Sequence, residues 1–200
     1  MSRMLMLCIW AVAARPVTGS TTPCGGMVRE FGDGPVECPA DLWAIAVAGG
    51  EGFSLALRED GTVIGWGVND YGQAAPPSWL DDAVEVAAGR KFAMARRSGG
   101  GVTCWGGNLA GECDVPSNLG PATAIAAGRL HALALGGDGR ITSWGSDQHG
   151  QGQGPADPGP FQAIAAGWWH NLALTHDGAV VAWGRNSEGQ CDLPPALGPV

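Results

Sequence analysis

Two adjacent tryptophans, Trp168 and Trp169, are the residues of this sequence best suited to contacting a partner. They stand directly before an apolar segment, 170–175, whose length and composition are typical of a β-strand. Tryptophans of a β-protein core are expected inside strands, whereas a pair at a strand edge offers two large rings to a ligand or another protein. The chemistry they predict is binding by stacking and apolar contact.

Side chains that could perform catalysis or hold a metal form no recognised motif. The four histidines have no paired serine or cysteine nucleophile, and GxSxG, a Walker loop and HExxH are all missing. The cysteines lack zinc-site spacing, and the Asp-Gly turns are not spaced as a calcium loop. We therefore predict that the protein is not an enzyme and uses no cofactor or metal.

The elements that must position the tryptophan pair come from an internal repeat of 39 residues. The chain aligns with itself from Ile45 to Val200 without insertion or deletion, which gives four units: 45–83, 84–122, 123–161 and 162–200. A weaker echo predicts a degenerate partial repeat over 21–44. The landmarks in register include a Trp-Gly pair, a glycine and a Gln or Glu: Trp66, Trp105, Trp144 and Trp183; Gly50, Gly89, Gly128 and Gly167; Gln73, Glu112, Gln151 and Gln190.

Each unit contains three short apolar runs, which in the last unit are 163–167, 170–175 and 179–184. They are too short for helices and are punctuated by Gly and Asp-Gly, which is typical of strands joined by tight turns. The segment 189–194 adds a possible outer strand that ends at a proline. Three or four strands per unit predict an all-β fold, a β-propeller of four blades plus a partial blade. In-register tryptophans are then core residues.

Positions that differ from unit to unit identify a variable surface. They fall in the loop after the first strand of each unit and in the loop after Trp-Gly, and strand alternation places both loops on one propeller face. We predict a partner-binding surface there, because interfaces favour Trp, Tyr and Arg. The alternative is that the tryptophans cover an exposed blade edge or pack on a neighbouring loop. The predicted binding residues are Trp168, Trp169, Tyr71, Arg90, Lys91, Arg129 and His149.

Two further sets of residues have structural interpretations. His131 and His170 occupy the repeat position of Phe53 and Phe92, which predicts packed rather than catalytic rings. A short polar residue recurs in the loop after Trp-Gly and is expected to hold a turn: Asn69, Asn108, Asp147 and Asn186.

The repeat pattern AIAAGxxHxLALxxDGxVxAWGxNxxGQ resembles that of the regulator-of-chromosome-condensation family over residues 34–200. Its short, uninterrupted form is similar to bacterial members, among them the type II β-lactamase inhibitory protein. The resemblance implies a propeller of this type but no particular activity, because function on such a fold depends on its loops. Four units are fewer than the seven blades of that inhibitor, so we expect an open or incomplete propeller that is prone to self-association. The alternatives are four blades that close alone, two chains that complete one ring, and a fragment of a longer protein.

Charge and the N-terminal residues limit the cellular context. The net charge of −8 disfavours nucleic-acid binding, which needs a basic surface. Residues 1–20 read as a signal peptide, or alternatively as a disordered start, and the apolar run is too short to span a membrane. We expect a secreted or periplasmic protein, or a cytoplasmic one if this segment is not a signal peptide.

Export would allow disulfide bonds among the six cysteines. Cys24 and Cys38 are close enough in sequence to form a local one. Cys113 and Cys191 are equivalent positions two blades apart and are not expected to meet, and Cys104 replaces Gly, Ser or Ala and is interpreted as a small core filler.

Three functional hypotheses follow. The first is a non-enzymatic scaffold that binds a protein through the variable loops, in its sharper form an inhibitor of an extracellular enzyme. The second is a carbohydrate or small-ligand module that uses Trp168 and Trp169. The third, based on the family resemblance, is a guanine-nucleotide exchange factor.

Overall fold

The protein is seen in a computed structural model that describes residues 26–27, 43–157 and 159–194. Within these ranges the regular elements are all strands. They are β1 (Gly26–Met27), β2 (Trp43–Ala44), β3 (Ala46–Gly49), β4 (Phe53–Leu57), β5 (Val63–Gly67), β6 (Ala83–Ala88), β7 (Phe92–Arg97), β8 (Val102–Gly106), β9 (Ala122–Ala127), β10 (His131–Gly136), β11 (Ile141–Gly145), β12 (Phe161–Ala166), β13 (His170–Thr175) and β14 (Val180–Gly184).

Each predicted unit folds into one three-stranded antiparallel sheet, which we call a blade. Blade 1 is β3-β4-β5, blade 2 is β6-β7-β8, blade 3 is β9-β10-β11 and blade 4 is β12-β13-β14. The all-β propeller-type architecture agrees with the prediction. The predicted outer strand at 189–194 is wrong. Its described residues form turns, because the Asn186 side chain accepts the Cys191 amide at 2.8 Å and folds the segment back.

The Asp-Gly turns join the second and third strands of a blade. In blade 1 the Arg58 amide donates to the Thr62 carbonyl at 2.9 Å, and Gly61 has a φ of +81°, which a residue with a Cβ adopts only with strain. Asp60 accepts bonds from the hydroxyl and the amide of Thr62, and these lower its pKa. Asp60 therefore holds the turn.

Packing between blades explains the repeated tryptophan. One side of β4, with Phe53, Leu55 and Leu57, packs against Ala93, Ala95 and Trp105 of blade 2. The Trp105 indole also donates to the Gln73 carbonyl of blade 1 at 3.0 Å, and Trp144 repeats this bond to Glu112 at 2.9 Å. Trp105 and Trp144 thus fill their junctions with an apolar ring and satisfy a carbonyl of the preceding blade. In blade 4 the Asn171 side chain donates to the equivalent Gln151 carbonyl instead, and the Trp183 indole N–H has no acceptor among the described residues.

The repeated glycine before each second strand has a packing role as well. The ring three residues later lies directly against it. A Cβ on Gly89 would be 2.0 Å from the Phe92 ring, and one on Gly128 would be 2.0 Å from the His131 ring. Only glycine allows the aromatic ring to pack this closely on the turn.

The blades follow one another as an arc. The first strands β3, β6, β9 and β12 contact each other in chain order and form the inner edge. In the described part of the chain, no comparable contact joins blade 1 to blade 4. The side of β13 that would face a further blade is accordingly half-buried at His170, Leu172 and Leu174. This arrangement agrees with the expected open or incomplete propeller.

Some predictions concern residues outside the described ranges. The signal peptide over 1–20, most of the partial repeat over 21–44 and the Cys24–Cys38 bond belong to them. Within 21–44 the structure shows β1 paired with β2 in a separate two-stranded sheet, with Gly26 opposite Ala44. In the part that is described, no helix is long and apolar enough to cross a membrane.

One cysteine prediction is wrong. Cys104 is not a simple core filler, because it forms a disulfide with Cys113, with their Cα atoms 5.1 Å apart. The loop after β8 folds back along that strand, since the Asn108 side chain accepts the Cys113 amide at 2.8 Å. The same two positions touch in blade 1, where a Cβ on Gly65 would be 2.4 Å from the Ala74 carbonyl oxygen.

A candidate binding face of cations and aromatic rings

Two loops lie at the same end of each blade and define the variable loop face: the loop between the first and second strands, and the loop after the third strand. Backbone bonds tie them together. The Val68 amide donates to Gly52 in blade 1 at 2.7 Å, and the Arg185 amide donates to Trp169 in blade 4 at 2.8 Å. The inference that both variable loops share one face is therefore supported by the geometry.

A line of backbone hydrogen bonds runs across this face from blade to blade. The Glu51 amide donates to Arg90 at 3.3 Å, the Arg90 amide to Arg129 at 3.2 Å, and the Arg129 amide to Trp168 at 3.2 Å. These residues share one repeat position, so a regular backbone carries side chains of three different kinds, Glu, Arg and Trp. The backbone arrangement is therefore constant from blade to blade, while the charge and size of the side chain at this position differ.

Blades 3 and 4 place four of the predicted binding residues in one cluster. The Arg129 guanidinium carbon lies 5.1 Å from the ring centroid of Trp168 and 4.8 Å from that of Trp169. The His149 ring meets Trp169 edge to face at 5.4 Å. Trp168 remains 46% exposed, whereas the repeat tryptophan Trp144 is 7% exposed. The cluster therefore presents an aromatic surface to solvent with a cation packed against it.

Blades 1 and 2 carry a second, smaller pair. The Lys91 ammonium lies 4.3 Å from the Tyr71 ring centroid and 3.3 Å from its hydroxyl. Tyr71 and His149 are equivalent repeat positions, as are Lys91 and Trp169. The contact between these two repeat positions is thus made by Lys91 and Tyr71 at the junction of blades 1 and 2, and by two rings, His149 and Trp169, at the junction of blades 3 and 4.

Arg90 is placed differently from the other predicted binding residues. It forms an ion pair with Glu51, so its charge is neutralised on the surface. The structure brings all seven predicted residues onto one face, but in three groups rather than one. Leu109, which is 73% exposed, and Val68 lie in the same loops and were missed. Their variation between repeats was a usable signal, although single exposed apolar residues are common.

The recurring short polar residues of these loops hold turns, as predicted. The Asn69 side chain accepts the Ala74 amide at 2.9 Å, and the Asp147 side chain accepts the Gly152 amide at 2.8 Å. The repeated Gln or Glu acts on the same loop. Gln73 accepts the Tyr71 amide and Gln151 accepts the His149 amide, at 2.9 and 2.8 Å. Both sets shape the loops that carry Tyr71 and His149.

The two histidines in phenylalanine positions differ in how they are packed. His131 is fully buried, and its Nε2 donates to the side-chain amide oxygen of Asn171 at 2.7 Å. This direction follows because the Asn171 amide group donates to the Gln151 carbonyl at 2.9 Å. Burial lowers the pKa of His131 and, from a more exposed position, that of His170. His131 belongs to the junction of blades 3 and 4, whereas His170 lies on the side of β13 that would face a further blade, so neither ring is on the variable loop face.

The remaining features do not extend the site. In the described residues no group of three or more His, Cys, Asp and Glu side chains is arranged to hold a metal ion. An open depression lined by Trp43, Arg58, Glu59 and Asp60 lies near the Asp-Gly turn of blade 1, at the opposite end of the blade. It contains none of the predicted binding residues.

Comparison with known proteins agrees with the repeat seen in the fold. The regulator of chromosome condensation (RCC1) repeat matches residues 44–73, 122–151 and 161–190. Three of the four blades therefore match the RCC1 repeat. Blade 2 lies between these matches and has the same strand order, although its turn reads Gly-Gly-Gly instead of Asp-Gly. No curated protein matches the chain.

Solved RCC1 structures share the fold. Yeast RCC1 (Prp20) bound to Kap60 superposes with a TM-score of 0.68 at 21% identity, over 82% of this chain and 49% of that one. Prp20p of Saccharomyces cerevisiae, studied for binding to Gsp1p and histones, gives 0.68 at 20% identity, over 81% and 50%. The receptor kinase CR4 ectodomain of Physcomitrella patens gives 0.60 at 21%, over 70% and 40%. The RCC1-repeat chain thus spans about half the length of these yeast proteins.

Proposed function

We propose that this RCC1-repeat chain is a non-enzymatic scaffold that binds another protein through its variable loop face. The observation that carries the proposal is the cluster of Arg129, Trp168 and Trp169, which leaves a large aromatic surface exposed beside a cation. Trp and Arg are the side chains that contribute most to interface affinity. The loops are held by the repeat scaffold, so little ordering entropy is lost on binding.

We further propose that the partner is extracellular and that the chain acts as an inhibitor of a secreted enzyme. The Cys104–Cys113 disulfide favours an oxidising compartment, together with the signal-like residues 1–20. A rigid face that covers an enzyme's substrate entrance would inhibit without chemistry of its own. A net charge of −8 favours a protein partner over nucleic acid.

Binding can be measured by biolayer interferometry against purified extracellular proteins, including a panel of β-lactamases, with a glycan array alongside. We expect a protein complex that weakens about tenfold or more in Trp168→Ala and in Trp169→Ala. Trp79→Ala is the matched control, because Trp79 is 57% exposed and packs on Arg97 away from the variable loop face.

The outcomes separate the hypotheses. Binding that appears only on glycans and depends on Trp168 would replace the protein scaffold with a carbohydrate module. A protein complex equally weakened by Trp79→Ala would remove the variable loop face from the proposal. Failure to inhibit any β-lactamase would remove that enzyme class while leaving protein binding intact.

A further inference from the structure

The positively charged side chains of the described residues fall into two groups: those that form an ion pair with a carboxylate and those that do not. Five arginines form ion pairs with Asp or Glu side chains: Arg90, Arg96, Arg97, Arg140 and Arg185. Among the described residues, Lys91, Arg129 and Arg58 have no carboxylate within ion-pair distance. Lys91 and Arg129 both lie on the variable loop face, and Arg58 lies at the opposite end of blade 1.

Arg129 has the least satisfied environment of these cations. Its guanidinium lies beside two tryptophan rings, which exclude water from part of its surface. Its Nε is buried and has no hydrogen-bond acceptor among the described residues. A guanidinium that has lost part of its water without gaining an acceptor interacts more strongly with an incoming anion, because partial burial strengthens the attraction and part of the desolvation has already been incurred. Its planar fork fits a carboxylate in two parallel hydrogen bonds.

Lys91 gives the neighbouring blade the same character. Its ammonium also rests on an aromatic ring, that of Tyr71. The bond from the Arg90 amide to the Arg129 carbonyl fixes the Lys91 loop next to the Arg129 loop. Between them, Arg90 is neutralised by Glu51. The variable loop face therefore holds two cations without a carboxylate partner, and each of them lies beside an aromatic ring.

We infer that the partner bound by this face presents a carboxylate side chain flanked by apolar or aromatic residues, with Arg129 binding the carboxylate and Trp168 and Trp169 packing on the flanking residues. Lys91 attracts the same acidic segment from the neighbouring blade. This inference rests on the proposed protein-binding function and specifies its partner. Charge complementarity favours a discrete carboxylate over a polyphosphate, because two cations without a carboxylate partner on a chain of net charge −8 cannot follow a nucleic-acid backbone.

The test uses the full chain, immobilised, as bait for a phage-displayed library of random dodecapeptides. We expect enriched peptides to contain Asp or Glu next to apolar or aromatic residues. Each selected peptide is then synthesised in two forms, with its acidic residue and with the matching Asn or Gln. The amide form should bind about tenfold or more weakly.

Variants of the chain provide the second half of the test. Arg129→Gln should weaken the acidic peptides about tenfold or more, and Lys91→Gln should weaken them less and reduce the dependence of affinity on salt. Arg58→Gln removes the same charge at the other end of the molecule and should leave binding unchanged. Thermal unfolding of every variant checks folding, and if Arg129→Gln fails to fold, Lys91→Gln and the paired peptides still decide the result.

Different failures have different meanings. Enriched peptides without an acidic preference, or peptides that lose affinity in Trp168→Ala but not in Arg129→Gln, would overturn the carboxylate inference and leave protein binding intact. Preferential binding of a single-stranded oligonucleotide would overturn it in favour of phosphate. A library that yields no peptide dependent on the variable loop face, together with no protein complex, would contradict the proposed function itself.

Discussion

Blades 3 and 4 share one repeat sequence and one strand order but differ in how they are covered. Leu133 in the middle of blade 3 is 0% exposed because blade 4 packs on it, whereas its equivalent Leu172 is only half-buried. Ile125 is buried and its equivalent Ile164 is not. The same residues therefore stabilise an interior blade far more than a terminal one, because stability in a repeat protein depends on the junctions between neighbours.

The largest effect that tests this comparison comes from shortening the two leucines. Leu133→Ala should lower the free energy of unfolding by about 2–5 kcal/mol, since it removes buried apolar area and leaves a cavity. Leu172→Ala should cost no more than about 1–2 kcal/mol, because solvent already reaches that side of the blade. Urea denaturation followed by tryptophan fluorescence measures both. Equal losses would mean that blade 4 is covered in solution by another blade or another copy of the chain.

The disulfide offers a second contrast, between blade 2 and blade 4. Replacing Cys104 and Cys113 by alanine should cost about 2–3 kcal/mol in the chain-entropy description of a loop of this length. Blade 4 has Cys191 but carries Ala182 in place of the first cysteine. Ala182→Cys should therefore create the corresponding bond, detected by a mass difference after alkylation with and without reductant. A free thiol at both positions would show that the two loops differ in shape.

Replacing a side chain that holds a turn should lower the stability by a smaller amount, and the loss should be similar in blade 2 and blade 4. Asn108→Ala and Asn186→Ala each remove the acceptor of one loop amide, which costs about 1 kcal/mol where the amide is left unpaired. Thermal melting of the two variants provides the measurement. A clearly larger loss in Asn108→Ala would indicate that the neighbouring disulfide depends on this turn.

Protonation of His131 is expected to have the smallest effect, and it appears only in acid. Burial keeps its folded pKa below the unfolded value of 6.5, so the unfolded chain binds the proton more readily. The stability associated with neutral His131 is present above that pH and is lost as the pH falls below it. Changing His131→Phe together with Asn171→Ala recreates the junction of Phe92 with Ala132 and should flatten this part of the pH profile, measured by urea midpoints.

In that junction variant, the single changes serve as controls. His131→Phe alone leaves the side-chain amide oxygen of Asn171 without its donor and should be less stable than the double variant. His170→Phe should change the acid profile less, because His170 is only half-buried. A pH profile that is unchanged in the double variant would place the linked proton on another group.

The sequence by itself determined the repeat, the strand content and the separation of core from loops. A fixed spacing of Trp-Gly and Gly lets the same junction form between successive blades, so burial of Trp66, Trp105 and Trp144 could be predicted without coordinates. Trp183 in the terminal blade is only half-buried. The packed role of His131 and the turn-holding role of Asn69 also follow from position in the repeat. Alternation along three strands was enough to place both variable loops on one face.

Only the tertiary structure decided which of those side chains meet. The repeat places Arg129 and Trp168 at equivalent positions of neighbouring blades, 39 residues apart, but the packing of the guanidinium on the ring depends on how the two blades meet. The Cys104–Cys113 bond was hidden for a related reason, since it depends on a loop that folds back on its own strand. Local periodicity determines the blades. Whether Arg90, Lys91 or Arg129 is paired with a carboxylate depends on neighbours that only the folded chain brings together.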